Sequence, residues 1–143
     1  MNKDQLIQIT VFLLRVIAGV LFLQVGGMKL FGWFGGMPGG GALPPLIMIA
    51  GVLEFFGGLA MIGGFMTRPI AFILSGEMAV AYFIGHFPMG FWPIQNHGEQ
   101  AVLLCFIFLF FAAQGAGMWS IDAYMQEYKK RMPRSTETNM MTK

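Results

Sequence analysis

Apolar residues along the chain gather into four long blocks, at residues 7–25, 46–66, 69–87 and 100–118, separated by stretches rich in glycine, proline or charge. Each block is close to the roughly 20 predominantly apolar residues that a bilayer-crossing helix needs. At about 1.5 Å per residue, a block of about nineteen residues reaches about 28 Å, near the hydrocarbon thickness. The pattern predicts an all-α integral membrane four-helix bundle. Inside the blocks, charged and small residues recur at helical spacing. Arg15, Gly19, Phe22, Gly26 and Lys29 make one stripe, Ala50, Glu54 and Gly58 a second, and Ile73, Glu77, Ala81 and Gly85 a third. Small residues let membrane helices approach closely, so these faces are expected to point inward.

The first block follows Lys3 and resembles the start of a secretory signal. Arg15 argues against that reading, because it interrupts the apolar region and no small-residue cleavage pattern follows. Between the second and third blocks stands Thr67-Arg68-Pro69, almost no loop at all, and proline suits the first turn of a new helix. A tight helical hairpin is expected there. Outside the blocks, Lys3, Arg68, Lys129, Lys130, Arg131, Arg134 and Lys143 fall on one side of a four-span topology, against Lys29 on the other. The positive-inside rule then places both termini in the cytoplasm. Trp33 and Trp92 would mark the outer interface, and Trp119, Tyr124 and Tyr128 the inner one.

Both outer connections are apolar and glycine- or aromatic-rich. Residues 31–45 carry Gly32, Gly35, Gly36, Gly39, Gly40 and Gly41 with Trp33, Phe34 and Met37, and residues 87–98 carry Phe91 and Trp92 between prolines. The first is too apolar for a solvated loop and is expected to fold back onto the bundle. The division expected is a membrane domain over 1–122 and a polar, basic cytoplasmic tail over 123–143, of which 133–143 reads as disordered.

Composition narrows the classes. Of 143 residues, 56% are hydrophobic and 11% charged, about half the charge of a soluble domain. A soluble bundle would lack polar residues to clothe its surface. The net charge of +2 reports the basic tail, and no basic patch interleaved with aromatics gives the footprint of a nucleic-acid binder. A lone cysteine, Cys105, excludes an intrachain disulfide, a CxxC pair and a cysteine-rich zinc site.

Candidate chemistry lies in the ionisable groups at membrane depth, each costing about 2.5 to 3.5 kcal/mol on insertion scales. Counting residues from the block edges puts Arg15, Glu54 and Glu77 each about 12 Å deep, in one layer of one cation and two carboxylates. One arginine cannot neutralise both, so one carboxylate is expected to hold a proton, which suits proton-coupled redox or transport chemistry. The plainer alternative is an ion-pair cluster that sets helix register.

A second polar layer is expected about 21 Å along the first stripe from Arg15. There Gln24, Lys29, His86, His97 and Glu99 would line an outward-facing pocket, apolar with a few convergent polar groups. The alternative is an interfacial cap in which Lys29 and Glu99 simply reach the surface. Two histidines, with no further His and a single Cys inside an apolar block, cannot complete a metal or haem shell, and the glycine-rich loop follows no strand, so it is not a phosphate cradle.

As an ordered set, these residues resemble the DoxX family of small four-helix bacterial membrane proteins. The matching pieces are Arg15 with Gly19; Gly26-Gly27-Met28-Lys29-Leu30-Phe31-Gly32; Gly51-Val52-Leu53-Glu54-Phe55-Phe56-Gly57-Gly58; Thr67-Arg68; Glu77-Met78-Ala79-Val80-Ala81-Tyr82 with His86; and Asn96-His97-Gly98-Glu99. They cover residues 7–122. Two departures stand out. Gln24-Val25-Gly26 occupies the place where members often carry a histidine before the glycine, and His97 replaces a glycine of the usual Asn-Gly-Gly-Glu.

The resemblance implies a plasma-membrane protein tied to redox chemistry, some relatives being membrane subunits of thiosulfate:quinone oxidoreductase. The expectation is a quinone-interacting subunit, bringing no electron carrier of its own and drawing electrons from a partner redox subunit or a soluble donor. Two alternatives belong to other classes: a non-catalytic membrane anchor for partner proteins, and a small proton-coupled permease that would need a homo-oligomer. Fold alone does not choose among them.

Overall fold

The computed structural model describes residues 2–37 and 42–132. Gly39, Gly40, Gly41, Arg134, Lys143 and the whole 133–143 stretch expected to be disordered lie outside the described residues.

Helix α1 (Lys3–Phe31) starts at a reciprocal cap in which Asn2 accepts from the Gln5 backbone while the Gln5 side chain accepts from Asn2, and it ends at Gly32 with a φ of 71°. Such a left-handed C-cap suits glycine because a Cβ would clash. Helix α2 (Pro45–Gly63) has proline at its first turn and ends the same way at Gly64. Helix α3 (Thr67–Ala81) continues through a π turn, Tyr82–His86, and a 3-10 turn, Phe87–Met89. After the single turn α4 (Pro93–Asn96) comes α5 (Glu99–Gln114), and after a break α6 (Ile121–Arg131).

Among the described residues, three stretches are long and apolar enough to cross a membrane: Lys3–Phe31, Pro45–Gly63 and Thr67–Met89. Helix α5 is equally apolar but has 16 residues, a length of about 24 Å. Its expected block to residue 118 is cut short at Gly115 and Gly117, whose φ values of 85° and 77° leave the helix. The first helix is longer than the block 7–25 that announced it. The tail expected from 123 is helical as far as Arg131, since Ser120 caps α6 by accepting from the Ala123 N–H.

The bundle is two helix pairs, α1 on α2 and α3 on α5. The first pair is in backbone contact. A Cβ built on Gly26 would stand 2.4 Å from Phe55 N, and one on Gly58 2.6 Å from Leu23 N, so only glycine permits this approach. The second pair closes through Ala71, Leu74, Phe108 and Phe111, all buried, and through the Ser75 hydroxyl, which donates to Cys105 O at 2.9 Å. Phe22 meets Phe108 edge to face at 4.5 Å where the pairs join. Around this core Leu13, Ile17, Phe56, Phe72, Leu103 and Phe106 are exposed, far more apolar surface than water tolerates and the surface acyl chains require. Trp33 folds back as expected, its ring filling the space above Gly27 and packing 5.7 Å from Phe55.

Candidate functional site

Antiparallel α1 and α2 carry Lys29 and Glu54 on facing surfaces. Side chains on a helix lean toward its N-terminus, so Lys29 reaches toward the middle of the bundle while Glu54 reaches the opposite way to meet it. Their Nζ and Oε1 atoms are 2.5 Å apart, with side chains 12% and 3% exposed. Glu54 Oε2 is buried with no hydrogen-bond partner among the described residues.

Two clefts open from this pair. The larger, about 400 Å³, lies between α2 and α3; Lys29, Glu54, Glu77 and His86 stand among the aliphatic side chains that line it. The smaller, about 210 Å³, lies among α1, α3 and α5 and is bordered by Lys29, Glu54, His86, His97 and Gln100 together with Phe22 and Leu104. Lys29, Glu54, Ala81 and His86 border both. In the larger cleft both Glu77 carboxylate oxygens are buried and unpartnered, beside an ion pair and against a hydrocarbon wall.

Arg15 is not part of this cluster, contrary to the layer expected of Arg15, Glu54 and Glu77. Its side chain also leans toward its own N-terminus, away from Glu54, and spreads over the end of α2. Nη1 donates to Met61 O at 2.6 Å and Ile62 O at 2.9 Å, and Nη2 donates to Trp119 O at 2.6 Å. The guanidinium satisfies orphan carbonyls at a helix C-terminus, where a cation is favoured. Counting depth from apolar block edges misplaced it, because Arg15 is level with the last turn of α2 and the first turns of α1 run on beyond that end.

Glu77 shares a cleft with Glu54 but does not lie on the packed face of its helix. The buried face of α3 is Thr67, Ala71, Leu74, Ser75 and Met78, turned onto α5. The stripe of Ile73, Glu77, Ala81 and Gly85 is rotated to the α2–α3 cleft instead, with Ile73 half exposed.

Of the outer residues, Lys29, His86 and His97 come together around the smaller cleft, with His97 itself exposed. Gln24 and Glu99 are exposed and border neither cleft. His86 sits in the π turn, an irregularity frequent at functional sites, and its Nδ1 lies 3.0 Å from Asn96 O. Among the described residues no three His, Cys, Asp or Glu side chains gather as a metal site.

The sequence reading left the residue that holds this corner outside the candidate site. Asn96 is fully buried; its Nδ2 donates to Gly90 O at 2.7 Å and Tyr82 Oη at 3.3 Å, while its Oδ1 accepts from Gly98 N at 2.8 Å. The last of these is an Asx turn, which Asn96 followed by Gly98 announces. Asp122 was also missed. Its carboxylate accepts from the Met66 and Thr67 N–H groups at the start of α3, a cap between distant segments that no local signal reveals.

A profile of the DoxX family matches residues 10–87, more than half of the chain. The chain belongs to the DoxX family. Among DoxX-like relatives it is 41% identical over 114 residues to an uncharacterised protein of Haemophilus influenzae, covering 76% of this chain and 85% of that one. It is 30% identical over 133 residues to the inner membrane protein YqjF of Escherichia coli, covering 82% of this chain and 92% of that one. No solved structure matches. This DoxX chain is therefore a membrane protein, and its glycine-rich α1–α2 contact, Glu54 and Glu77 all fall inside the matched region.

Proposed function

We propose that this DoxX protein is a four-span inner membrane subunit of a redox system, with both termini in the cytoplasm, and that it takes the head group of a quinone, or of a similar small apolar redox ligand, into the cleft between α2 and α3. The observation that carries this reading is Glu77, a carboxyl with two buried, unpartnered oxygens facing an apolar cleft of about 400 Å³, within the size range of small-ligand pockets of about 300 to 1,000 Å³. An unsatisfied carboxyl in such a place is a standing cost, and a ligand with polar atoms on an apolar body would relieve it. The Lys29–Glu54 pair and His86 border the same space and the outward cleft beyond it. They supply a route by which Glu77 and Glu54 exchange protons with the outer side.

A quinone, when bound, supplies the couple that takes up electrons and protons together; the chain's own part is to seat the head group, exclude water and hold the proton at Glu77. Electrons come from a partner subunit or a soluble donor. The orientation rests on Lys3, Arg68, Lys129, Lys130 and Arg131 standing opposite Lys29.

The test is binding of short-chain ubiquinone and menaquinone analogues to purified protein in nanodiscs, compared with Glu77→Gln. Saturable binding weakened at least about tenfold by the substitution, or about 1.4 kcal/mol, supports the reading. Absence of saturable binding overturns it in favour of an anchor, and substrate uptake by proteoliposomes without a redox partner would mark a permease.

A further inference from the structure

The last described helix carries a face that the bundle leaves bare. No residue of α6 is buried. Ile121, Tyr124, Met125 and Tyr128 recur at helical spacing, and Met132 extends the series one turn on. At about 100° per residue the five form a stripe about 100° wide. All five are exposed, Tyr124 at 71% and Tyr128 at 54%. Lys129 and Arg131 fall on either flank of the stripe and Lys130 behind it. The acidic groups of α6 are engaged elsewhere: Asp122 caps α3, and Glu127 pairs with Arg131. Lys129 and Lys130 leave the helix with a net cationic end.

Eleven residues are too few for a stable isolated helix in water, and a stripe of this kind needs an apolar surface. The position of the helix says which one. Asp122 N donates to Gly64 O at 3.0 Å, and the Asp122 carboxylate accepts from Met66 and Thr67, so α6 begins at the α2–α3 turn, where the apolar helices of the bundle end. Trp119 and Met118, exposed just before it, continue the apolar surface of α5 into the stripe.

We propose that α6 lies along the membrane surface at this end of the bundle, with the stripe sunk at the boundary between head groups and acyl chains and Lys129 and Lys130 on the phosphates of anionic lipids. A helix with aromatic and aliphatic residues on one face and lysines on the other is built for that interface. Each basic residue near an anionic surface adds about 1 kcal/mol of attraction. The occupant of the stripe is thus the same bilayer that holds the spans.

The full chain carrying Cys105→Ser, with either Tyr128→Cys or Gln126→Cys, is spin-labelled and placed in nanodiscs of phosphatidylcholine with or without phosphatidylglycerol. The label at 128 should be several-fold less accessible to a water-soluble relaxation agent than the label at 126. Phosphatidylglycerol should widen that difference, and Lys129→Gln with Lys130→Gln should abolish the widening. Neither substitution touches a buried residue, so unchanged thermal unfolding confirms that the bundle is intact. Equal accessibility at 126 and 128 in both lipids would overturn the proposal, as would protection at 128 that appears only when soluble protein is added, which would mark a protein-docking face. A difference indifferent to phosphatidylglycerol overturns the role given to the two lysines.

Discussion

Lys29 and Glu54 meet at 2.5 Å across the α1–α2 interface, and the pair stands at the wall shared by both clefts. Lys29→Met should leave Glu54 charged, buried and alone, a loss of about 3 kcal/mol or more, whereas Lys29→Met with Glu54→Met should recover most of it. A double-mutant cycle on unfolding in mild detergent measures the coupling. Additive losses would show that the two side chains do not depend on each other.

Glu77 makes the opposite prediction for stability. Its oxygens have no partner among the described residues, so Glu77→Leu should stabilise the fold by about 1 to 3 kcal/mol, the usual penalty of a buried unsatisfied group. The same substitution should remove binding of short-chain quinone. Thermal unfolding and titration of one preparation report both, and a stabilised variant that still binds would separate Glu77 from the ligand.

Arg15 acts at the C-terminal end of α2, away from the clefts. Arg15→Leu should cost about 2 to 4 kcal/mol by leaving the Met61, Ile62 and Trp119 carbonyls unsatisfied, the loss of three bonds to a charged donor being offset in part because the guanidinium no longer has to be buried. Arg15→Lys should restore only part, since an ammonium cannot fork across two directions. Quinone affinity of the folded fraction should stay within about twofold, less than about 0.5 kcal/mol; a large affinity change would return Arg15 to the site.

Glycines divide by what a methyl group would meet. Gly26→Ala drives a Cβ into the Phe55 backbone and should destabilise by about 1 to 3 kcal/mol as α1 and α2 part. Gly76→Ala meets nothing within 4 Å and should stabilise α3 by up to about 1 kcal/mol. Unfolding midpoints in detergent rank the two, and equal effects would contradict the close α1–α2 contact.

Asn96→Ala removes the partner of Gly90 O, Gly98 N and Tyr82 Oη from a fully buried position. A loss of about 1 to 3 kcal/mol is expected. Hydrogen exchange should rise across residues 88–98 while α1 and α2 keep their protection.

The apolar blocks determined the helices, because backbone groups within lipid must be satisfied inside their own segment. Small residues at helical spacing likewise announced close helix packing, though not that α1 and α2 are the pair that meets, and the ordered DoxX motifs announced the family. Partners of the charged groups were not legible. That Lys29 rather than Arg15 meets Glu54 depends on the register of two antiparallel helices and on the lean of each side chain toward its own N-terminus. Rotation of α3 onto α5 then decided that Glu77 faces a cleft instead of the core, since the tightest packing on one side of a helix dictates what its other side is left to do.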